Sequence, residues 1–193
     1  MAVHFFRHIR FLGVRGTMEH IYRKNPGVFI ANGPIACVNR NDLDRIKEDA
    51  CAAPLRRSRI CAHASANDPV QEMIIAMCHD SYIAPHRHVG KTESFHIIEG
   101  QADIYFFEES GEITRIVSLS SDSPEGFYYR LSAPLYHTVL PHGPMLVIHE
   151  TITGPFTPDE SIIAPFAPHA EDTVAVHSYL KMLRGRYDAC AAR

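Results

Sequence analysis

The chain has 193 residues, a length typical of one domain with a short added segment. Hydrophobic residues make up 46% of the sequence and charged residues 21%, so the chain can bury a core and lacks the composition of a disordered segment. Its formal net charge of −3 argues against nucleic-acid or membrane-surface binding that depends on a positive field.

The N-terminal third predicts short strands and one helix. Residues 28–31 and 35–38 form two apolar runs around an Asn-Gly-Pro turn, which indicates a hairpin or an edge addition to a sheet. Asn39 or Asn41 is suited to cap a helix that continues to about Ala53.

Residues 1–17 mix arginines with aromatic side chains, and they fit a secretory signal poorly. We interpret them as an ordered arm, a dispensable extension or a membrane-surface helix. The five cysteines lack Cys-x-x-Cys spacing, which favours reduced thiols and a cytoplasmic location. No apolar run approaches the ~18 residues of a membrane span, so we expect no membrane partner.

A small basic cluster, Arg56, Arg57 and Arg59, follows the predicted helix. Such clusters are commonly solvated linkers, which is the interpretation we favour here. The functional alternative is a contact with an anion.

From residue 73 onward, short apolar strands alternate with turn residues, which is typical of an antiparallel barrel or sandwich. We expect hairpin turns at residues 109–112 and 141–144, and a helix over about 171–184. The predicted strands are residues 73–79, 81–88, 93–99, 101–108, 113–119, 127–131, 135–140 and 145–153. The predicted fold class is therefore an all-β jelly-roll barrel with a short N-terminal strand and helix extension and a C-terminal helix. The corresponding division is an arm at 1–60, a barrel at 61–170 and a helix with tail at 171–193.

The most informative stretch is an H-x-H-x4-E-x6-G pattern. Alternate residues of a strand project the same way, so His86 and His88 can offer imidazoles to one point inside the barrel. The short reversal that follows lets Glu93 return a carboxylate to that point, and Gly100 permits the next turn. His137, on a later strand, is suitably placed as a fourth ligand. Three imidazoles and one carboxylate suit one divalent ion of Fe, Mn, Ni or Zn.

This pattern resembles the two motifs of the cupin superfamily, whose members hold a metal with three histidines and one glutamate. The resemblance implies the cupin-type double-stranded β-helix. The chain departs from the pattern at Asp80, where glycine is usual, and at Tyr136 and Pro141 in the second motif.

Within the cupins, the sequence is most similar to the WbuC family of cupin-fold metalloproteins, whose founding member lies among bacterial O-antigen genes. The stretches that carry this likeness are residues 67–73, 85–88, 91–93, 154–156, 166–168 and 179–180. The resemblance implies a metal-loaded cupin with a role around surface polysaccharide, and it does not supply a reaction.

Three functions fit the residues. The first is a metalloenzyme, such as an isomerase, that acts on a small polar or carbohydrate-like molecule in the barrel. The second is an Fe(II)-dependent dioxygenase. The third is a non-catalytic module in which the metal supports ligand binding or the barrel itself.

Strand parity also predicts the surroundings of the site. Tyr82 aligns with His86 and His88, which makes it the candidate phenol beside the metal. His96 falls on the opposite face from Glu93 and is interpreted as structural. His142 is expected to be exposed in a turn. We also expect a homodimer, with the hairpin at 28–38 as an added or exchanged edge.

Overall fold

The computed structural model describes residues 21–122, 124 and 126–191. The alternatives for residues 1–17 lie outside this range. The strands are β1 (Ile21–Asn25), β2 (Val28–Ala31), β3 (Arg57–Cys61), β4 (Val70–Cys78), β5 (His86–His88), β6 (Glu93–Phe107), β7 (Ile113–Ser120), β8 (Tyr128–Leu131), β9 (Tyr136–Thr153) and β10 (Ser161–Ile163). The helices are α1 (Arg40–Ala52) and α2 (Thr173–Ala191).

Two long antiparallel strands, β6 and β9, pair with each other along most of their length and divide the sheet into two layers. The first layer runs β1-β2-β3-β4, then the second half of β9, the first half of β6, and β8. The second runs β7, the second half of β6, the first half of β9, β5 and β10. One buried cluster contains residues of both layers, so the layers face each other across a common core.

Bends, and not hairpin turns, connect the two layers. The turn expected at 141–144 is wrong, because Pro141 lies within β9 and pairs with Ala102 of β6. The break expected at Gly100 is likewise wrong, because β6 continues through it with φ 86° and a shift in register. Each strand has its partner on both sides of the bend, so the chain changes layer without reversing direction.

The N-terminal hairpin is formed by β1 and β2, so the hairpin predicted within residues 28–38 is wrong, whereas residues 28–31 do extend the sheet, as the alternative prediction had it. Residues 35–38 form no strand. The physical reason is that β2 already has a partner on each edge, β1 on one side and β3, in parallel, on the other.

The helix N-cap prediction is confirmed for Asn39. Its side-chain oxygen accepts hydrogen bonds from the backbone N–H groups of Asn41 at 2.9 Å and Asp42 at 3.3 Å. The Asp42 carboxylate in turn accepts from the backbone N–H of Asn39 at 2.9 Å, which completes a capping box. The helix then buries Leu43 and Ile46 against the outer face of the first layer.

The C-terminal helix covers the outer face of the second layer. Leu180 and Leu183 are buried there beside Tyr105 of β6, whose hydroxyl donates to the Leu183 carbonyl oxygen at 2.9 Å. Neither helix of the described residues is long and apolar enough to cross a membrane. The predicted all-β jelly-roll barrel with a C-terminal helix is confirmed.

Candidate metal centre

The structure brings together all four residues that the sequence motif predicts as ligands. One donor atom from each of His86, His88, Glu93 and His137 lies within 4.8 Å of every other. His137 and Glu93 are buried, and the other two are partly buried. The group therefore lies inside the barrel and not on its surface.

Strand pairing explains why these residues meet. His86 and His137 are direct partners between β5 and β9. On its other edge, β5 pairs with β10, where Ser161 lies opposite His88. Gly90, with φ 71°, allows the short reversal that brings Glu93 to the start of β6.

Two of the imidazoles are oriented by backbone carbonyl groups two residues earlier. His86 Nδ1 lies 2.9 Å from the Ala84 carbonyl oxygen, and His137 Nδ1 lies 3.0 Å from that of Leu135. Because a carbonyl oxygen only accepts hydrogen bonds, each Nδ1 carries a proton. Each Nε2 is thereby left as the ring nitrogen that can coordinate a metal ion.

The third imidazole and the carboxylate are also held in place. His88 Nδ1 lies 2.9 Å from Ser161 Oγ, and His88 Nε2 lies 3.2 Å from Glu93 Oε2. The other carboxylate oxygen, Glu93 Oε1, accepts a hydrogen bond from the Tyr129 hydroxyl at 2.6 Å. The same oxygen lies 3.1 Å from His137 Nε2.

Electrostatics favour the metal-coordinating forms of His86 and Glu93, whereas they favour the protonated form of His137. Burial, together with the nearby His137, lowers the pKa of His86 to about 4, so this ring is neutral at physiological pH. Burial acts to raise the pKa of Glu93, but His137 and hydrogen bonds from its neighbours hold it well below its usual range. Burial lowers the pKa of His137, but the Glu93 carboxylate outweighs that effect and the net shift is upward.

The residues fit a divalent metal ion. Nε2 of His137 is buried and, among the residues that the structure describes, has no hydrogen-bond partner of adequate geometry, although it lies 3.1 Å from Glu93 Oε1. A buried polar atom without a hydrogen bond is costly, and a coordinate bond to a cation would satisfy it. Three imidazole nitrogens and a carboxylate form a donor set suited to Fe, Mn, Ni or Zn.

The expected position of Tyr82 is wrong. Its hydroxyl donates to the Pro168 carbonyl oxygen at 2.9 Å, and its ring packs against Tyr179 of α2, outside the barrel. Residues 81–85 have no strand conformation, so the strand parity of His86 does not extend back to Tyr82. The phenol at the site is Tyr129, which reaches Glu93 because β8 pairs with the first half of β6. Only that pairing identifies it, because nothing in the local sequence around Tyr129 distinguishes it from an ordinary strand tyrosine.

The other histidines are placed elsewhere. His96 is exposed on the outer face beside Phe127, which confirms its predicted position on the face opposite to Glu93. The exposed turn position expected for His142 is wrong, because its Nε2 lies 2.8 Å from the buried carboxylate of Asp103. His142 sits on β9, whose pairing with β6 brings the two residues together.

A cavity of about 880 Å³ is lined by three of the four donor residues, His86, His88 and Glu93. Its apolar wall includes Ile75, Phe95 and Val139. Arg57 and Arg59 also line it and lie in a strand, so the interpretation of the basic cluster as a linker is wrong for these two residues, although Arg59 is exposed to solvent. They belong to β3, whose alternation turns one face to the cavity.

Comparison with known proteins adds a family match and distant structural similarity. A family model described as a domain of unknown function (DUF6016) matches residues 38–119. No curated protein matches the sequence.

Three solved structures share part of the fold. Protein SO0799 from Shewanella oneidensis is 13% identical, with a TM-score of 0.44 over 53% of this chain and 66% of that protein. The capsular polysaccharide assembling protein CapF from Staphylococcus aureus is 17% identical, with a TM-score of 0.44 over 55% of this chain and 31% of CapF. An uncharacterized Klebsiella pneumoniae protein with a double-stranded β-helix domain is 12% identical, with a TM-score of 0.43 over 56% of this chain and 79% of that protein.

The chain thus spans about two thirds of the Shewanella protein and about a third of CapF. At these identities and TM-scores, the similarity assigns no activity, substrate or partner to this chain.

Proposed function

We propose that His86, His88, Glu93 and His137 hold one divalent metal ion. The convergence of four donor atoms within 4.8 Å of one another inside the barrel carries this proposal. The support of each imidazole through its Nδ1 is the arrangement that metal-binding histidines typically have.

The protein is proposed to be a metalloenzyme that acts on a small polar molecule. The cavity beside the donors is large enough for such a ligand, and its wall is largely apolar. A bound divalent ion supplies Lewis acidity, which polarises a carbonyl or hydroxyl group of the ligand. The contribution of the chain itself is to orient the four donors, with Tyr129 fixing the carboxylate of Glu93.

A carbohydrate-like ligand, with a link to surface polysaccharide, is the finer form of the proposal. It rests on the residue resemblance to the WbuC family. The Fe(II) dioxygenase and the non-catalytic binding module use the same four donors, so the experiments below separate them from the first proposal.

The first experiment measures metal content. Protein purified anaerobically without added metal is analysed for elements, with His88→Ala and His137→Ala as variants and His96→Ala as the matched control. We expect about one equivalent of a transition metal in the wild type and in the control, and at least tenfold less in the two ligand variants. Equal metal content in all four proteins would refute the metal centre.

The second experiment separates the three functions. The metal-loaded protein is incubated with sugars and sugar acids, and product formation and oxygen uptake are followed. Substrate conversion without oxygen uptake, lost in His88→Ala, supports the metalloenzyme. Oxygen uptake coupled to substrate loss with Fe(II) indicates the dioxygenase. A melting temperature that falls on chelation, with no substrate consumed, indicates the binding module.

A further inference from the structure

A second polar group lies on the cavity wall, separate from the four metal-facing donors. It consists of Arg57 and Arg59 of β3 and Glu150 of β9, and all three line the cavity. None of them contributes to the proposed metal centre. We refer to these three residues as the arginine–glutamate face.

The alternation of β3 directs the two arginines to the cavity. Ser58 and Ile60, the residues between and after them, face α1: Ser58 Oγ donates to the Asp49 carboxylate at 2.9 Å, and Ile60 is buried in the cluster beneath the helix. Arg57 and Arg59 therefore project from the opposite face of the strand. Arg57 is anchored by a hydrogen bond to the Tyr82 carbonyl oxygen at 2.9 Å, whereas Arg59 is exposed.

Glu150 projects from the same face of the first layer. Its strand partners, Phe95 on β6 and Met73 on β4, both belong to the core between the layers. No hydrogen bond or ion pair holds its carboxyl group in the part of the chain that the structure describes. A half-buried carboxyl group without such a partner, facing a cavity, is available to a ligand.

Strand spacing places Glu150 within reach of both the arginines and the metal centre. Arg59 pairs with Ile75, which pairs with Ile148, so the Cα atoms of Arg59 and Glu150 lie roughly 12 Å apart. Glu93 is two residues from Phe95, the partner of Glu150, which puts its Cα roughly 8 Å from that of Glu150. Glu150 therefore lies between the two arginines and the metal-facing donors on the wall of the cavity.

The charges leave the face positive. Burial and the nearby Glu93 raise the pKa of Glu150 to about 8, against the lowering effect of Arg59. Two guanidinium groups face one carboxyl group, so the face carries a net positive charge whether or not Glu150 is ionised. Burial, with a smaller contribution from the charge of Arg59, lowers the pKa of Arg57, and the nearby Glu150 acts in the opposite direction.

We propose that the arginine–glutamate face is a carboxylate-binding subsite, and that the ligand of the cavity is a small organic acid. Arg59 donates to the carboxylate of the ligand, Arg57 adds its charge, and Glu150 offers a further hydrogen bond. The opposite polar end of the ligand reaches the metal centre, and this second half of the inference rests on the proposed function.

The test is calorimetric titration of the full chain with two acids and their uncharged counterparts. The probes are glucuronate with glucose, and succinate with succinamide, and inorganic phosphate is titrated as a competing anion. The variants are Arg59→Gln and Glu150→Gln. Their matched controls are the exposed Arg115→Gln on β7 and Glu72→Gln, which lies on the outer face of β4. All proteins are titrated both zinc-loaded and after EDTA treatment, and circular dichroism melting verifies the fold.

We expect each acid to bind at least tenfold more tightly than its uncharged counterpart. Arg59→Gln should weaken binding of the acids about tenfold or more and leave the uncharged probes unaffected, because it removes a charge-assisted hydrogen bond. Glu150→Gln should bind the acids as tightly as the wild type or more tightly, since a carboxamide donates and carries no charge. Tighter binding of glucuronate identifies a sugar acid as the ligand, and tighter binding of succinate identifies a simple dicarboxylic acid.

Equal affinity of the acids for the wild type and Arg59→Gln would overturn the subsite, as would undetectable binding of both acids. Loss of acid binding in Glu150→Gln, or tighter binding of inorganic phosphate than of either acid, would overturn the carboxylate assignment. Titration of the EDTA-treated protein distinguishes a failure of the subsite from a failure of the metal centre. An effect of Arg59→Gln that persists without metal supports the subsite even where elemental analysis rejects the ion.

Discussion

Replacement of Gly100 by alanine is expected to destabilise the protein strongly, because this residue forms the bend of β6 between the two layers. Its φ of 86° lies in the left-handed region, which costs about 1–2 kcal/mol for an L-residue. A Cβ atom at this position would also lie 2.5 Å from the Met145 carbonyl oxygen. That oxygen belongs to the backbone of β9, so relief requires the two paired strands to separate.

Gly143→Ala is the matched control, because Gly143 has φ 66° and no atom within 4 Å of an added Cβ. Alanine also restricts the unfolded chain, which returns about 0.4–1 kcal/mol in both variants. We therefore expect a loss in the free energy of unfolding of about 1 kcal/mol for Gly143→Ala. For Gly100→Ala we expect about 3 kcal/mol or more, with the excess due to the clash.

The assay is urea denaturation of both variants and the wild type at equal metal loading, with the midpoints compared at constant m-value. A chain of this size should lose about 2–4 °C in melting temperature for each kcal/mol. If Gly100→Ala is no less stable than Gly143→Ala within about 0.5 kcal/mol, the close approach of β6 and β9 at the bend is refuted.

Three further predictions concern the site, a helix cap and the cavity carboxyl group. Tyr129→Phe should weaken zinc affinity about 10- to 100-fold in a chelator competition, because it removes the hydrogen bond that fixes the Glu93 carboxylate. The control Tyr128→Phe, at an exposed position, should leave zinc affinity unchanged. Asn39→Ala should lower the free energy of unfolding in urea by about 1 kcal/mol, and an unchanged midpoint would contradict the cap. In EDTA-treated protein, burial raises the pKa of Glu150 from its ordinary 4.5 to about 8. The protonated carboxyl group therefore stabilises the folded state fully below pH 4.5, and this contribution is lost as the pH rises through 8. The stability of Glu150→Gln relative to the wild type should therefore increase from pH 6 to pH 9. A difference in the free energy of unfolding that does not change with pH, or that equals the difference measured for Glu72→Gln, would count against this reasoning.

Local patterns in the sequence were sufficient for the candidate ligands and for several elements. His86 and His88 are two residues apart on one strand, and Glu93 follows a short reversal, so strand parity alone brings these three together. The cap of α1 is equally local, because Asn39 satisfies N–H groups only two and three residues away. The motif also included His137, although its meeting with His86 depends on the pairing of β5 with β9.

Tertiary structure alone decided the surroundings of those ligands. Tyr129 reaches Glu93, and Arg59 shares a cavity with Glu150, through the register of strands that lie far apart in the chain. The bends at 100 and 143 were mistaken for strand ends because glycine and proline are equally suited to a turn and to a bend. Parity and turn chemistry act over a few residues, whereas the choice of strand partner depends on which apolar faces the whole sheet can bury.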